Sequence, residues 1–419
     1  MLPEDGCVVA PPGVLPEAWS SAVPGDAALL VLAPGSSGGW FGGRSVVAWS
    51  PRDLAAGLSH ADAAAELQHS FSAQGPPGLS AALLPYDGPA TVARYTGGLV
   101  WTPQGWRVWG TLAGGDVPAA RTAPAPLRSA APLVAALSSD LSEPEFLQRV
   151  RAIHEAVLAG DVYVVNLTRR LTGRPTADPR VAFAALLDRT RADMAAYWQT
   201  PEVTIASASP ERFLRLSGER VAVSPIKGTR PRAGGSADAV MVAELLASEK
   251  ERAEHVMVVD LERNDLGRVC RFGTVEVDPL FDVVTTPYCH QMVSSVTGVL
   301  RDGTTIGDLL EAAFPCGSVT GAPKIAAMRI IAELEASPRG VYTGSLAVSA
   351  PGEFDSSVLI RTAEYEDGLV RWGTGGGITV DSDPDDEWLE TVLKASPFLG
   401  PGGGRCATIG SAHGTATSG

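Results

Sequence analysis

The order of strand and helix signals along the chain is the feature that most restricts its fold. Apolar runs at residues 28–32 and 45–49 lie on either side of a Gly- and Ser-rich segment, and strands are predicted near 212–216 and 219–223 around Ser217-Gly218. Neighbouring strands joined in this way pair antiparallel. Helical segments follow in irregular order, without the alternation of strand and helix typical of a parallel sheet. The sequence therefore predicts an α+β fold built on antiparallel β-sheets.

Capping residues and periodicity predict where the main elements lie. Ser142 and Glu145 form a capping box with Pro144 in the first turn, apolar residues follow at helical spacing, and Gly160 ends this helix. Further helices are predicted over about 237–258, from Pro323 onwards and over about 385–396. Strands are predicted near 163–171, 342–349, 356–364 and 369–373. These predictions divide the chain into three regions. A β-rich subregion of short strands and turns covers 1–138, and its last part, from residue 111, is a surface connection. A catalytic region covers 139–399, and we expect the Gly- and Ser-rich tail over 400–419 to be disordered.

Composition and charge exclude several classes of protein. Hydrophobic residues make up 45% of the chain, yet no stretch approaches the roughly 20 apolar residues of a membrane helix. The formal net charge of −14 disfavours nucleic acid and anionic membranes as partners. No basic residue precedes Arg44, so no secretory signal is expected, and the five scattered cysteines form no Cys-x-x-Cys pair. We therefore expect a cytoplasmic protein with reduced cysteines.

Three side chains of the last predicted helix lie on one face. Glu387, Glu390 and Lys394 are spaced i, i+3 and i+7, and Glu254 lies in a charged run of an earlier helix. One interpretation is a pair of solvated helix faces, since surface ion pairs of this kind are common. The other is a magnesium site, because Mg²⁺ prefers a few carboxylate oxygens. The spacing alone leaves both interpretations open.

An acidic chain that binds an anion must provide local positive potential. Thr320 and Gly321 precede a helix that begins near Pro323, and the run at residues 375–377 consists of glycines, so backbone N–H groups are available to an anion at both places. Arg361 lies in a predicted strand, and if it is buried its guanidinium could bind a carboxylate through two parallel hydrogen bonds. Neither segment has the glycine spacing of a dinucleotide-binding loop or a P-loop.

Lys227 has two interpretations of its own. A lone lysine is usually a solvated surface group, whereas a buried lysine becomes a nucleophile. Glu211 precedes it by one hairpin, so that both side chains could face one pocket, where Glu211 would act as a general acid.

Together these segments resemble, in order, the motifs of the chorismate-utilising enzymes, a family that includes anthranilate, aminodeoxychorismate, isochorismate and salicylate synthases. The matching segments cover about 140–398 and are GDVYVVNL (160–167), SPERF (209–213), PIKGTRPR (225–232), RAEH (252–255), VDLERNDLG (259–267), FPCGSVTGAPK (314–324), IRT (360–362), GGGI (375–378) and residues 387–394. The resemblance implies large antiparallel β-sheets packed as a sandwich with helices on the outside, as in the large subunit of anthranilate synthase. Cys316 departs from a common glycine of the family.

The residue at position 227 separates the activities within this family. Anthranilate synthases carry alanine there, in P-I-A-G-T, whereas the lysine resembles the aminodeoxychorismate synthases, in which it attacks C2 of chorismate while the C4 hydroxyl leaves. Isochorismate and salicylate synthases place a water-activating lysine where this chain has Val164, which argues against hydroxylation at C2. The resemblance therefore implies that chorismate and ammonia give 4-amino-4-deoxychorismate.

The resemblance also assigns roles to the remaining candidates. Glu211 and Lys227 would be the proton donor and the nucleophile, and His290 would lie near the ring. Glu254, Glu390 and Glu387 would hold Mg²⁺. The groups that would hold the two carboxylates of the substrate are Thr320, Gly321, Tyr342, Arg361, Lys394 and the amides of Gly375, Gly376 and Gly377.

Ammonia would come from a separate glutaminase subunit, because the chain contains no Gly-x-Cys-x-Gly nucleophile motif. Two alternatives remain at this level: an anthranilate-type enzyme, which would release pyruvate, and a non-catalytic relative that only binds chorismate-like anions or a glutaminase.

Overall fold

The computed structural model describes residues 8–10, 28–32, 39–73, 78–102, 105–112, 132–285 and 289–400. In chain order its strands are β1 (Val8–Ala10), β2 (Leu29–Leu32), β3 (Val46–Ala48), β4 (Asp53–Leu58), β5 (Leu79–Leu84), β6 (Ala90–Tyr95), β7 (Gly97–Thr102), β8 (Gly105–Gly110), β9 (Val134–Ser139), β10 (Val164–Pro175), β11 (Met194–Gln199), β12 (Thr204–Ser209), β13 (Arg212–Ser217), β14 (Arg220–Ser224), β15 (Ile226–Pro231), β16 (Glu276–Val277), β17 (Asp282–Thr285), β18 (Cys289–Val293), β19 (Val296–Val299), β20 (Gly321–Ala322), β21 (Ser345–Ala350), β22 (Glu353–Val358), β23 (Thr362–Glu366) and β24 (Leu369–Ile378).

The helices of the same residues are α1 (Trp40–Gly43), α2 (His60–Ser72), α3 (Glu143–Leu158), α4 (Pro179–Thr190), α5 (Ala237–Ala247), α6 (Glu249–Gly267), α7 (Ile306–Ala313), α8 (Lys324–Leu334) and α9 (Pro384–Leu399), with a 3₁₀ turn at Gly317–Val319. None of these helices is both long and apolar enough to cross a membrane.

Nearly all described strands belong to two large sheets. One has twelve strands in the order β1-β8-β7-β3-β2-β11-β12-β23-β24-β10-β20, with β9 also paired to β10. The other has nine, in the order β16-β19-β14-β13-β22-β21-β5-β6-β4, and a third small sheet has the order β15-β18-β17. Every pairing among the described strands is antiparallel.

The two large sheets face each other across a shared apolar core. Leu29 and Val31 of the twelve-stranded sheet and Leu346 and Val348 of the nine-stranded sheet belong to one buried cluster. Two other clusters pack α4 and α9 on the outer face of the first sheet, and α2, α6 and α7 on that of the second. The predicted α+β sandwich with outer helices is therefore confirmed.

Several boundaries follow from the local signals identified in the sequence. The backbone N–H of Ser142 donates to Glu145 Oε2 over 2.8 Å, which completes the predicted capping box of α3, and Phe146, Val150 and Ile153 are buried on its inner face. The predicted pairs β2–β3 and β13–β14 are also present.

Other predictions were wrong, each for a local reason. The helix expected over 237–258 is two helices, because Ser248 interrupts it and its side chain caps α6 by accepting from the N–H of Glu251. The N-terminal part contains helix α2 in addition to strands, and the end of the expected surface connection is strand β9. By contrast, helix α8 begins directly after Pro323, as predicted, and it buries Ala327 and Ile331.

The strand expected over 356–364 is likewise two strands in different sheets. β22 belongs to the nine-stranded sheet and β23 to the twelve-stranded one, and the chain crosses between them at Arg361, whose φ is 50°. Arg361 therefore lies at a crossover and not in a strand. The division at residue 138 stays a prediction, and the predicted disordered tail lies, beyond Gly400, outside the described residues.

Candidate active site

The candidate site lies where the chain crosses between the two large sheets. Glu211 lies at the crossover from β12 to β13, and Arg361 at the return crossover from β22 to β23. Two backbone hydrogen bonds join the crossovers. The N–H of Val358 donates to the carbonyl of Glu211 over 3.1 Å, and the N–H of Ala208 donates to the carbonyl of Arg361 over 3.0 Å. Because both sheets hold these segments, the backbone of the site is rigid.

Glu211 is a buried carboxyl with one hydrogen-bond donor. Its side chain is 4% exposed, and Oε1 accepts from the Ser318 hydroxyl over 2.6 Å. Burial raises the pKa of Glu211 to about 7, against the opposing effects of the Ser318 hydrogen bond and of the charges on Lys227 and Lys394. A carboxyl with this pKa is partly protonated at neutral pH, as a general acid must be.

Lys227 lies on β15, half-buried, and shares Ser318 with Glu211. Its Nζ donates to the Ser318 carbonyl over 3.4 Å, while the hydroxyl of the same serine holds Glu211. A Cβ built on Gly377 would lie 3.7 Å from Lys227 Nζ and 3.4 Å from Val164 Cγ2. The ammonium group and the Val164 methyl therefore border the same space beside Gly377.

The three candidate metal ligands come from two helices. Glu387 and Glu390 of α9 both approach Gly376, where an added Cβ would lie 3.0 Å from Glu387 Oε2 and 3.2 Å from Glu390 Oε1. Glu254 of α6 interacts electrostatically with both. No three His, Cys, Asp or Glu side chains in the described part of the chain are close enough to form a ready metal cluster.

Burial dominates the electrostatics of these carboxylates, and at Glu254 the charges of Lys227 and Lys250 lower the pKa by more than Glu390 raises it. Burial raises the pKa of both Glu254 and Glu387, and the negative charge of Glu390 raises them further, although the Ser382 hydroxyl donates to Glu387 over 2.6 Å. For Glu390, burial raises the pKa but Lys394, 2.5 Å away, outweighs it. The oxygens of Glu387 and Glu390 beside Gly376, with Glu254 nearby, are the kind of ligand that Mg²⁺ prefers.

Arg361 is the strongest candidate for binding a carboxylate of the substrate. Burial lowers the pKa of its guanidinium, although Cys289 opposes the effect. Among the described residues the guanidinium has no hydrogen bond or ion pair, so its donors are available. Lys394, by contrast, is already bonded to Glu390 and donates to the carbonyl of Gly375 over 2.8 Å.

The other predicted substrate groups have packing roles in the structure. The ring of Tyr342 lies on Gly373, and burial raises the pKa of its hydroxyl. The Thr320 hydroxyl donates to the Cys316 carbonyl over 3.0 Å. A Cβ on Gly321 or Gly375 would lie 2.1 or 2.2 Å from a backbone carbonyl oxygen of β10, so both glycines allow close approach of that strand.

His290 lies apart from these contacts. Its Nδ1 is 2.8 Å from the Thr285 hydroxyl, and Nε2 is 3.3 Å from Asp238 Oδ1 without hydrogen-bond geometry. No contact in the described residues joins it to Glu211 or Lys227. Conversely, Ser318 was in a matching motif but received no predicted role, since nothing in its sequence neighbourhood indicates that it bridges two distant side chains.

Comparison with known proteins identifies the family of this site. The sequence profile of a family described as chorismate binding enzyme matches residues 111–400. The chain belongs to this family. The predicted resemblance is thereby confirmed at the level of a chorismate-binding enzyme.

Relatives with different activities match the chain to similar extents. An aminodeoxychorismate synthase of Streptomyces pristinaespiralis is 44% identical over 280 residues, 66% of this chain and 38% of that protein. Aminodeoxychorismate synthase component 1 of Salmonella typhimurium is 40% identical over 279 residues, 66% and 62% of the two chains. Anthranilate synthase component 1 of Geobacillus stearothermophilus is 39% identical over 271 residues, 64% and 53% of the two chains. The matches thus span between 38% and 62% of the length of these relatives.

Solved structures share the fold. Anthranilate synthase component I from Streptococcus pneumoniae superposes with a TM-score of 0.72 and 24% sequence identity, over 85% of this chain and 92% of that one. At this identity the likeness concerns the fold alone.

Proposed function

We propose that the chain aminates chorismate at C4 to give 4-amino-4-deoxychorismate, with Lys227 as the nucleophile and Glu211 as the general acid. The observation that carries the proposal is that Ser318 links the two side chains, through its hydroxyl to Glu211 and through its carbonyl to Lys227. Placed together in this way, a nucleophile and a proton donor can act on one ring.

The reaction would proceed in two displacements. The nitrogen of Lys227 gives up a proton to solvent and attacks C2 of the ring, the double bonds shift, and the C4–O bond breaks while Glu211 donates its proton. Water leaves, and the lysine nitrogen becomes a secondary ammonium. Ammonia then attacks C4, the double bonds shift back, and the C2–N bond breaks, which returns the lysine as an unprotonated amine. The ammonium formed at C4 gives one proton to Glu211, so the general acid is restored. The Val164 methyl beside Lys227 has no proton-accepting atom, which supports amination over attack of water at C2.

The remaining residues would bind and orient the substrate. Glu254, Glu387 and Glu390 would hold Mg²⁺, which when bound would neutralise the ring carboxylate. The free guanidinium donors of Arg361 suit a bidentate contact with a carboxylate. The carboxylate sites would be completed by Thr320, Gly321, Tyr342, Lys394 and the Gly375–Gly377 amides, and His290 would lie near the ring.

We also propose that ammonia comes from a separate glutaminase subunit. The name of the Salmonella relative, aminodeoxychorismate synthase component 1, supports a separate subunit, because it describes one part of a larger assembly. The match to the Streptomyces protein covers 38% of that protein, so most of its length lies outside the matched region.

Product analysis tests the proposal. Purified protein with chorismate, Mg²⁺ and ammonium should give aminodeoxychorismate without pyruvate, measured by liquid chromatography with mass detection and a coupled pyruvate assay. Anthranilate with stoichiometric pyruvate would instead indicate an anthranilate-type enzyme. Chorismate binding without turnover in excess ammonium would indicate a non-catalytic relative.

A further inference from the structure

A second buried carboxyl, Glu262 of α6, lies close to the candidate site and has no role in the reaction described above. Its side chain is 1% exposed. Oε1 accepts from the N–H of Gly317 over 3.1 Å and lies 3.5 Å from the Cys316 thiol, whereas Oε2 has no hydrogen-bond partner among the described residues. A buried carboxyl oxygen without a partner is costly if the group is ionised, which favours a bound proton on Glu262.

A continuous chain of polar atoms leads from Glu262 to Glu211. The Cys316 sulfur is 3.5 Å from Glu262 Oε1 and 3.3 Å from the Ser318 hydroxyl, and that hydroxyl donates to Glu211 Oε1 over 2.6 Å. All four residues are buried. A thiol and a hydroxyl can each donate one hydrogen bond and accept another. When Glu262 is protonated it can donate to Cys316 and the thiol can turn to donate to Ser318, so that every donor in the chain points towards Glu211.

The electrostatics leave both carboxyls of this chain of contacts partly protonated near neutral pH. Burial raises the pKa of Glu262 to about 7; Lys324 lowers it, and Asp265 and Glu211 raise it. These three groups, with Cys316, are the titratable groups that face it. Burial also raises the pKa of the Cys316 thiol, so the sulfur keeps its proton and remains a donor.

We propose that Glu262 is a positioning residue that stores a proton and passes it to Glu211 through Cys316 and Ser318 while the covalent intermediate is present. This inference rests on the proposed role of Glu211 as general acid. After Glu211 has lost its proton to the leaving hydroxyl, Ser318 passes its hydroxyl proton to the Glu211 carboxylate. Cys316 passes its thiol proton to Ser318, and Glu262 passes its own to Cys316. The net change is one proton moved from Glu262 to Glu211, with both neutral groups restored. When the ammonium formed at C4 by the attack of ammonia gives a proton to Glu211, the same transfers run in reverse and protonate Glu262 again before the next turnover.

A purely structural role for Glu262 is the competing interpretation. The bond from the Gly317 N–H would then only hold the turn that carries Ser318. Glu262→Gln distinguishes the structural role from proton storage, because its amide oxygen can still accept the Gly317 N–H while the titratable proton is lost.

A titration of the ligand-free protein tests the coupling without reference to turnover. Infrared difference spectra across pH 5 to 9 follow the protonated carboxyl bands, which Glu211→Gln and Glu262→Gln assign. Because an ionised Glu262 disfavours ionisation of Glu211, we expect Glu262→Gln to lower the Glu211 midpoint by roughly one pH unit. An unchanged midpoint would overturn the proposal. If the wild type does not aminate chorismate, this titration still decides whether the carboxyls are coupled.

Turnover measurements test the path itself. We expect Cys316→Ala to lower kcat roughly tenfold with KM unchanged, and Cys316→Ser, which keeps a donor and acceptor, to retain most of the rate. The wild type should show a curved proton inventory in mixed H₂O and D₂O that becomes linear in Cys316→Ala. Cys270→Ala, at a buried thiol outside the chain of contacts, is the matched control. Equal losses in Cys316→Ala and Cys316→Ser would mean that the side chain only packs, and a wild-type rate and inventory in Cys316→Ala would exclude the path.

Discussion

Replacing Glu211 with glutamine should abolish amination and, at high pH, stabilise the fold. Burial raises the pKa of this carboxyl from its ordinary 4.5 to about 7. Below pH 4.5 the carboxyl is protonated in the folded and unfolded chains alike, so its ionisation does not change the free energy of unfolding. Between pH 4.5 and 7 only the unfolded chain releases the proton, so the folded state loses stability, and above pH 7 the full cost is present.

The magnitude follows from that change in pKa. One unit corresponds to about 1.4 kcal/mol, so an ionised Glu211 costs about 3 kcal/mol above pH 7. At pH 5.5 the cost is only about 1 kcal/mol. Glu211→Gln removes this ionisation cost and keeps an oxygen that can accept the hydrogen bond of the Ser318 hydroxyl. The free energy of unfolding should therefore rise by about 2 kcal/mol more at pH 8 than at pH 5.5.

Urea unfolding at the two pH values, with equal slopes required for the comparison, measures this difference. Glu276→Gln, at an exposed carboxylate on β16, is the control and should change stability little at either pH. The amination rate of Glu211→Gln should fall by about 10²- to 10⁴-fold. A gain that is equal at both pH values, or a loss at pH 8, would refute the assignment of a buried, protonated Glu211.

Three further predictions concern the rest of the site. Glu390→Gln should raise the Mg²⁺ concentration needed for half-maximal rate at least roughly tenfold, measured by titration of Mg²⁺; an unchanged requirement would count against a ligand role. Arg361→Met should raise the KM for chorismate, since a bidentate contact is lost, and steady-state kinetics with a wild-type KM would contradict it. Gly375→Ala should lower stability by about 1–3 kcal/mol through contact with the Leu167 carbonyl, and a melting temperature equal to that of the wild type would argue against it.

The sequence predicted the parts of the fold that depend on local signals. The capping box at Ser142 and the turn at Ser217-Gly218 fix element boundaries within a few residues, and both were correct. The break at Ser248 was missed because Leu246 and Ala247 before it and Glu249 after it are good helix formers, so only the cap distinguishes two helices from one. Arg361 was placed in a strand because apolar periodicity does not reveal that a chain changes sheets.

The site was predictable only in part, for the same reason. Ordered motifs indicated that Glu211 and Lys227 face one pocket, and the structure links them through Ser318. The partners of Glu262 come from a turn more than fifty residues away, and such non-local contacts have no period or spacing in the sequence. The role of His290 near the ring stays a prediction, and its ring lies beside Asp238.

The most direct test of the central proposal is the intact mass of the protein after incubation with chorismate and Mg²⁺ without ammonia. We expect a covalent adduct with the mass of chorismate less one water, located on the peptide that contains Lys227, absent from Lys227→Ala and discharged as aminodeoxychorismate when ammonium is added. No adduct in the wild type under conditions that support turnover, or an adduct that persists in Lys227→Ala, would contradict the role of Lys227 as the nucleophile.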